Sequence, residues 1–212
     1  MCSPLVERVP GCPVIRRVAA FGLTTVALTA LVPVAAGSGS HAVGKRLFVV
    51  GDSLAVGTKP YLPRYLHGWR TGSSVSISKH APEGAAELAR RGHSLPPVVV
   101  ASLGTNDDPH ATGSFEAAVR KSLRATGNRG CVVWPNIVRP AVGGATYAGY
   151  NNALDRIAKN NDHLRVVNWT AMAAHNRGWF GEDGVHPNAT GYMARAQAIA
   201  KQVRRCRRSL VE

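Results

Sequence analysis

Two short stretches of this chain hold the residue types of nucleophilic catalysis. Gly51-Asp52-Ser53 lies well into the chain, and Asp183-Gly184-Val185-His186 lies near its end. A hydroxyl, an imidazole and a carboxylate are sufficient for acyl transfer. Ser53 would attack, His186 would take its proton, and Asp183 would hold the imidazole tautomer and stabilise the imidazolium. Of eight histidines, His186 is the preferred base, because an acid stands three residues before it and one turn of backbone brings the two together. The tetrahedral intermediate also needs donors for its oxyanion. The Ser53 N–H, the Gly84 N–H and the Asn106 side-chain amide are the candidates. Plainer readings exist for each: Ser53 as a helix N-cap, His186 as a surface turn histidine, Asn106 as a turn former. The Asp-x-x-His spacing decides in favour of chemistry. Asp52 reads as structural, bonding N–H groups of its own turn. The chain lacks the Gly-x-Ser-x-Gly elbow of α/β-hydrolases.

These residues need elements that bring them to one place. Apolar, β-branched runs at Leu47–Val50, Val75–Ser78, Val98–Leu103, Cys131–Ile137 and Leu164–Trp169 read as five strands buried on both faces. Helical patterns lie between or after them at Glu83–Arg91, Ser114–Ala125 with a Ser cap, Tyr147–Lys159 and Ala189–Arg205. The last places Met193, Ala196, Ile199 and Val203 on one face. Strand–helix alternation predicts an α/β fold, a three-layer sandwich around a five-stranded parallel sheet. Ser53 then follows the first strand, Gly84 the second, Gly104-Thr105-Asn106 the third, and Asp183 and His186 the fifth. All fall at one sheet edge, where open α/β sheets bind ligands. Arg139–Thr146 should be an exposed loop.

The motifs resemble those of the SGNH, or GDSL-type, hydrolases. Gly51-Asp52-Ser53-Leu54 is similar to that family's first block, Gly84 to the glycine of the second, Gly104-Thr105-Asn106-Asp107 to the third, and Asp183-Gly184-Val185-His186 to the last. The resemblance spans roughly residues 46–205 and implies a flavodoxin-like sheet, serine-dependent ester hydrolysis and no metal or other cofactor. Gly51 to Gly57, with Trp179 through His186, look most like extracytoplasmic domains that act on O-acetyl groups of cell-wall glycans. Such relatives often carry a multi-helix membrane domain that delivers acetyl groups. None is expected here, which favours hydrolysis over transfer.

Composition bounds the setting. The formal net charge of +14 suggests contact with an anionic cell-wall or membrane surface. The C-terminal Lys201 to Arg208 run also suits the negative end of a helix. Nucleic acid is disfavoured, since no recognisable module is present, and a monomer is expected. Residues 1–36 read as a targeting segment: Arg8, Arg16 and Arg17 precede an uncharged run from Val18 to Ala36, with small residues before the cleavage position. The same run could just span a bilayer as a retained anchor. Residues 37–45 read as a linker and 46–212 as the hydrolase domain, outside the cytoplasm in either case. Cys131 and Cys206 suggest one disulfide in an exported chain, with two buried thiols as the alternative. Asp107, Asp108 and His110 are too compact a group for a metal site, and Asp107 should instead support the loop presenting Asn106. Trp134 reads as core, and Trp179-Phe180 as a possible substrate wall.

Overall fold

The computed structural model describes residues 44–212. The stretch read as a targeting segment or anchor, and the expected linker up to residue 43, lie outside the described residues. Five strands form one parallel sheet: β1 Arg46–Gly51, β2 Arg70–Val75, β3 Val98–Ser102, β4 Cys131–Pro135 and β5 Leu164–Val167. Their spatial order is β2-β1-β3-β4-β5, with every pair parallel. The order reverses between β1 and β3, the switch point at which such sheets open a crevice.

Alternation along each strand divides the core. Phe48, Val50, Val99, Ala101, Val132 and Trp134 face helices α3 (Ala81–Arg91), α4 (Thr112–Thr126) and α5 (Ala148–Lys159). Leu47, Val49, Val98, Val100, Cys131 and Val133 face α1 (Ser53–Thr58), α2 (Leu62–Tyr65) and α7 (Ala189–Ser209). Central strands that are apolar at successive positions need cover on both sides, and this makes three layers. A short α6 (Trp169–Ala174) follows β5.

Four expectations shift. The second strand runs over Arg70–Val75, not Val75–Ser78, and is largely exposed. It is an edge strand paired only to β1, where polar residues are tolerated and discourage further pairing. Ile77, read as strand, is 75% exposed in the turn that follows. The fifth strand stops at Val167 because Asn168 caps α6, its side chain accepting from the Ala171 N–H at 3.1 Å. The fourth helix begins at Thr112, so Ser114 lies inside it rather than capping it. Met193 is only partly buried, whereas Arg195 takes a core position in α7.

Cys131 on β4 and Cys206 on α7 are joined by a disulfide, with Cα atoms 5.6 Å apart and a sequence separation of 75. Closing a loop of that length is worth about 4 kcal/mol in the chain-entropy description. Reduction, or the paired Cys131→Ala and Cys206→Ala change, should therefore lower the denaturant midpoint markedly. An unchanged midpoint would show that the α7–β4 packing holds without the bridge.

Candidate active site

Ser53 opens α1 directly after β1. Its position is set from both sides. The Asp52 N–H donates to the Ser102 carbonyl at 3.0 Å, and the Asp52 carboxylate accepts from the Leu54 N–H at 3.0 Å, capping the helix. Asp52 is fully buried and so belongs to the turn, as its sequence context indicates. Gly51 is required here: a Cβ would lie 2.3 Å from Ala55 Cβ and 2.7 Å from the Ser102 carbonyl oxygen. The Ser53 N–H stands in the first helical turn, where backbone donors have no intrahelical acceptor.

His186 reaches Ser53 from 133 residues away. Its Nε2 lies 2.8 Å from Ser53 Oγ, and its Nδ1 lies 2.6 Å from Asp183 Oδ2. Asp183 Oδ1 accepts from the Val185 N–H at 2.9 Å and the His186 N–H at 3.0 Å. The His186 ring and these two amides hold the Asp183 carboxyl down at about 2. A carboxylate only accepts, so Nδ1 must carry a proton, which turns the Nε2 lone pair of the neutral ring toward the serine hydroxyl. Gly184, at φ +62°, makes the turn that folds Asp183 back onto His186. Downstream, the Asn188 N–H donates to the Trp179 carbonyl at 2.6 Å, and the Asn188 side chain caps α7 at Gly191.

Asn106 joins His186, Asp183 and Val185 in lining a cleft of about 350 Å³, whose far wall is Pro140, Ala141 and Val142. The loop that carries Asn106 is tied down on several sides. The Asp107 carboxylate accepts from the Ala81 N–H at 3.0 Å and pairs with His80 at 3.5 Å. The Tyr150 hydroxyl donates to the Asp108 carbonyl at 2.5 Å, and the Arg139 guanidinium donates to the Thr105 carbonyl. Asp107 thus supports the loop. Asp108 bonds the His110 N–H and His110 contacts the Gly143 carbonyl, so the acidic group is spent on loop contacts.

Gly84 is a correction. It lies inside α3, its N–H is 3.1 Å from the His80 carbonyl within the helix, and it is buried. It is glycine for packing, since a Cβ would sit 2.3 Å from Leu103 Cδ1 and 3.2 Å from Val50 Cγ2. The segment that does lie beside Asn106 is the β2–α3 turn, where the Asn106 amide is 3.5 Å from the Lys79 carbonyl. In that turn Ser78 is the one non-glycine residue at positive φ among the described residues, at +62°. Such backbone strain gathers at functional sites. An exposed serine in such a turn gives no sequence signal of it.

Trp134 is core, its Nε1 donating to the Leu103 carbonyl at 3.1 Å. Trp179 stacks on the buried Trp169 with centroids 5.6 Å apart, whereas Phe180 lines a second cavity of about 600 Å³.

No protein-family model and no curated protein sequence matches this chain. Solved structures do. A family 3 carbohydrate esterase from Clostridium thermocellum superposes with a TM-score of 0.64 at 16% identity, covering 80% of this chain and 100% of its own. The C-terminal catalytic domain of the Streptococcus pneumoniae peptidoglycan O-acetyltransferase A gives 0.62 at 16% identity, over 79% and 95%. The fold is that of the SGNH hydrolases. A GDSL-like lipase from Bacteroides thetaiotaomicron adds a third SGNH neighbour, with a TM-score of 0.57 at 15% identity over 76% and 88%. This architecture joins esterases, lipases and an acetyl transferase, so the SGNH fold fixes the framework and leaves the substrate to the site.

Proposed function

We propose that the protein is an exported serine esterase that hydrolyses short-chain acyl esters, foremost O-acetyl groups on glycans. The observation that carries this is the unbroken relay from Ser53 Oγ through His186 to Asp183, at 2.8 Å and 2.6 Å. Ser53 attacks the ester carbonyl as His186 Nε2 takes its proton. The oxyanion forms against the Ser53 N–H, the Asn106 amide and the neighbouring Ser78-Lys79 turn. The imidazolium then protonates the leaving alcohol, and water repeats the sequence on the acyl-enzyme. Both His186 and Asp183 are about half exposed, so water can reach that intermediate. The small cleft against Pro140, Ala141 and Val142 suits an acetyl group.

The test is turnover of acetyl esters by the purified protein, with Asn106→Ala alongside. Loss of one oxyanion donor should raise the barrier by about 3 kcal/mol, a fall in kcat of about 100-fold. An unaltered kcat would remove Asn106 from the mechanism. Asp183, held down at about 2, stays ionised above that range, so its own protonation should not limit kcat/KM on the acid side. An acid-side loss of activity that Asp183→Asn lacks would show that this carboxylate takes up a proton there.

Acyl transfer to a carbohydrate is the second reading, favoured by the O-acetyltransferase among the structural neighbours. Product analysis with a sugar acceptor separates it from hydrolysis. A basic wall-binding protein without catalysis is the third, and it predicts wall retention with no esterase turnover. Export is supported by the disulfide, which oxidising compartments preserve. Contact with an anionic surface is supported by a hollow of about 1210 Å³ at the opposite sheet edge, where Arg46, Lys121, Arg124 and Arg129 meet no acidic side chain among the described residues.

A further inference from the structure

The 600 Å³ cavity lies beside the cleft, on the other side of the Asp183–His186 segment. Gly184 lines the cavity, whereas Asp183, Val185 and His186 line the cleft. Arg139 is the one residue that lines both. The cavity is largely apolar, with Ile137, Tyr147, Ala173 and Phe180 among its walls. Its neutral polar side chains are mostly engaged. Asn151 bonds both the N–H and the carbonyl of Ile137, and the Thr170 hydroxyl donates to Asn168. Two guanidinium groups remain, Arg139 and Arg177, and among the described residues no carboxylate lines the cavity. Neither arginine is ion-paired among the described residues. The cleft's own acid, Asp183, already accepts from three donors.

Holding the Thr105 carbonyl does not account for Arg139. The Tyr147 hydroxyl lies 3.2 Å from the same oxygen, and a neutral carbonyl needs no cation. Arg139 has five N–H donors, and one is spent there. A half-buried guanidinium without a counter-ion, between two open hollows and near a second arginine, is suited to forked recognition of a carboxylate or phosphate. Asn106 and His186, which meet the reacting acyl group, line the cleft, whereas Arg177 lines the neighbouring cavity, which assigns the acidic group to the other half of the ester.

We infer that the substrate's alcohol half carries an acidic group, carboxylate or phosphate, and that Arg139 and Arg177 bind it in this cavity. The inference rests on the esterase reading and names the substrate class of the same site.

Three acetyl esters test it: 4-acetoxybenzoate, 4-acetoxyphenyl phosphate and the neutral 4-acetoxybenzamide. The ratio of kcat/KM for each acidic ester to that for the neutral one is compared between wild type and variants, so intrinsic reactivity cancels. Arg139→Gln and the exposed Arg177→Gln should each lower at least one acidic-to-neutral ratio by about tenfold at low salt. Added salt, at about 0.5 M, should lower the same wild-type ratio. The ester most affected tells carboxylate from phosphate. Ratios unchanged in both variants would overturn the inference and leave the esterase reading standing. Absence of turnover with all three esters in wild type would overturn the esterase reading. Equilibrium binding to Ser53→Ala then decides the cavity on its own. Tighter binding of 4-hydroxybenzoate or 4-hydroxyphenyl phosphate than of 4-hydroxybenzamide, lost on adding Arg139→Gln, supports it; equal binding of all three overturns it.

Discussion

Replacing Ser53 with alanine should reduce acetyl-ester turnover by about 10⁴-fold or more while leaving the protein folded. The size follows from covalent catalysis. Without Oγ there is no acyl-enzyme, and His186 and Asp183 can only assist a water that is poorly placed at the ester carbon. The fold should survive because Oγ bonds a half-exposed imidazole that water can solvate, and α1 is capped by Asp52 rather than by Ser53. The stability change should stay within about 0.5 kcal/mol, as for surface substitutions generally. Steady-state kinetics and a denaturant titration check both halves. A variant that is folded and retains a tenth of the activity would mean that another group attacks the ester.

The second large effect is on stability. Arg195 lies fully buried beneath α1, donating to Thr58 Oγ1 at 3.0 Å and Ser102 Oγ at 3.1 Å, with its guanidinium 5.8 Å from the centre of the Trp169 ring. It is also the charge that offsets the buried Asp52. Burial pushes the Asp52 carboxyl up, and Arg195 and the Leu54 amide pull it back. Burial likewise brings Arg195 down to about 10, against the opposing pull of Asp52. Two charges out of water are costly, and removing one partner is worse because it strands the other. Arg195→Met keeps an apolar stem and should cost about 3–5 kcal/mol in the denaturant midpoint. Adding Asp52→Asn should recover part of that loss, since an amide oxygen can still accept from Leu54. A double variant no more stable than Arg195→Met would show that the hydroxyl contacts, not the charge, are what Arg195 supplies.

The parts of this molecule that could be read from sequence share a physical property: they depend on local pattern. Leu47–Val50 is apolar at every position and Val98–Leu103 at every position but Ser102, which is diagnostic of strands covered on both sides, and the sheet is built on them. The placement of Ser53 and His186 at one rim follows from parallel topology, because every strand then ends on the same edge. The Asp183–His186 contact follows from a three-residue spacing around a glycine. What failed depended on tertiary contact. β2 is a polar edge strand with no burial pattern, so its neighbour Ile77 drew the assignment downstream. Gly84 looked like a backbone donor, but its missing side chain lets α3 approach Leu103. Arg195 is four residues before Ile199 and eight before Val203, on the buried stripe of α7, yet a cation there reads as solvated until its partner Asp52 is placed beneath the same helix.

The direct test of the nucleophile is intact-mass and peptide mapping after treatment with a fluorophosphonate. One adduct should form, on the peptide containing Ser53, and it should be absent from His186→Ala, in which the hydroxyl has no base. A stoichiometric adduct on a different residue, or none on a protein that turns over acetyl esters, would contradict the assignment of Ser53.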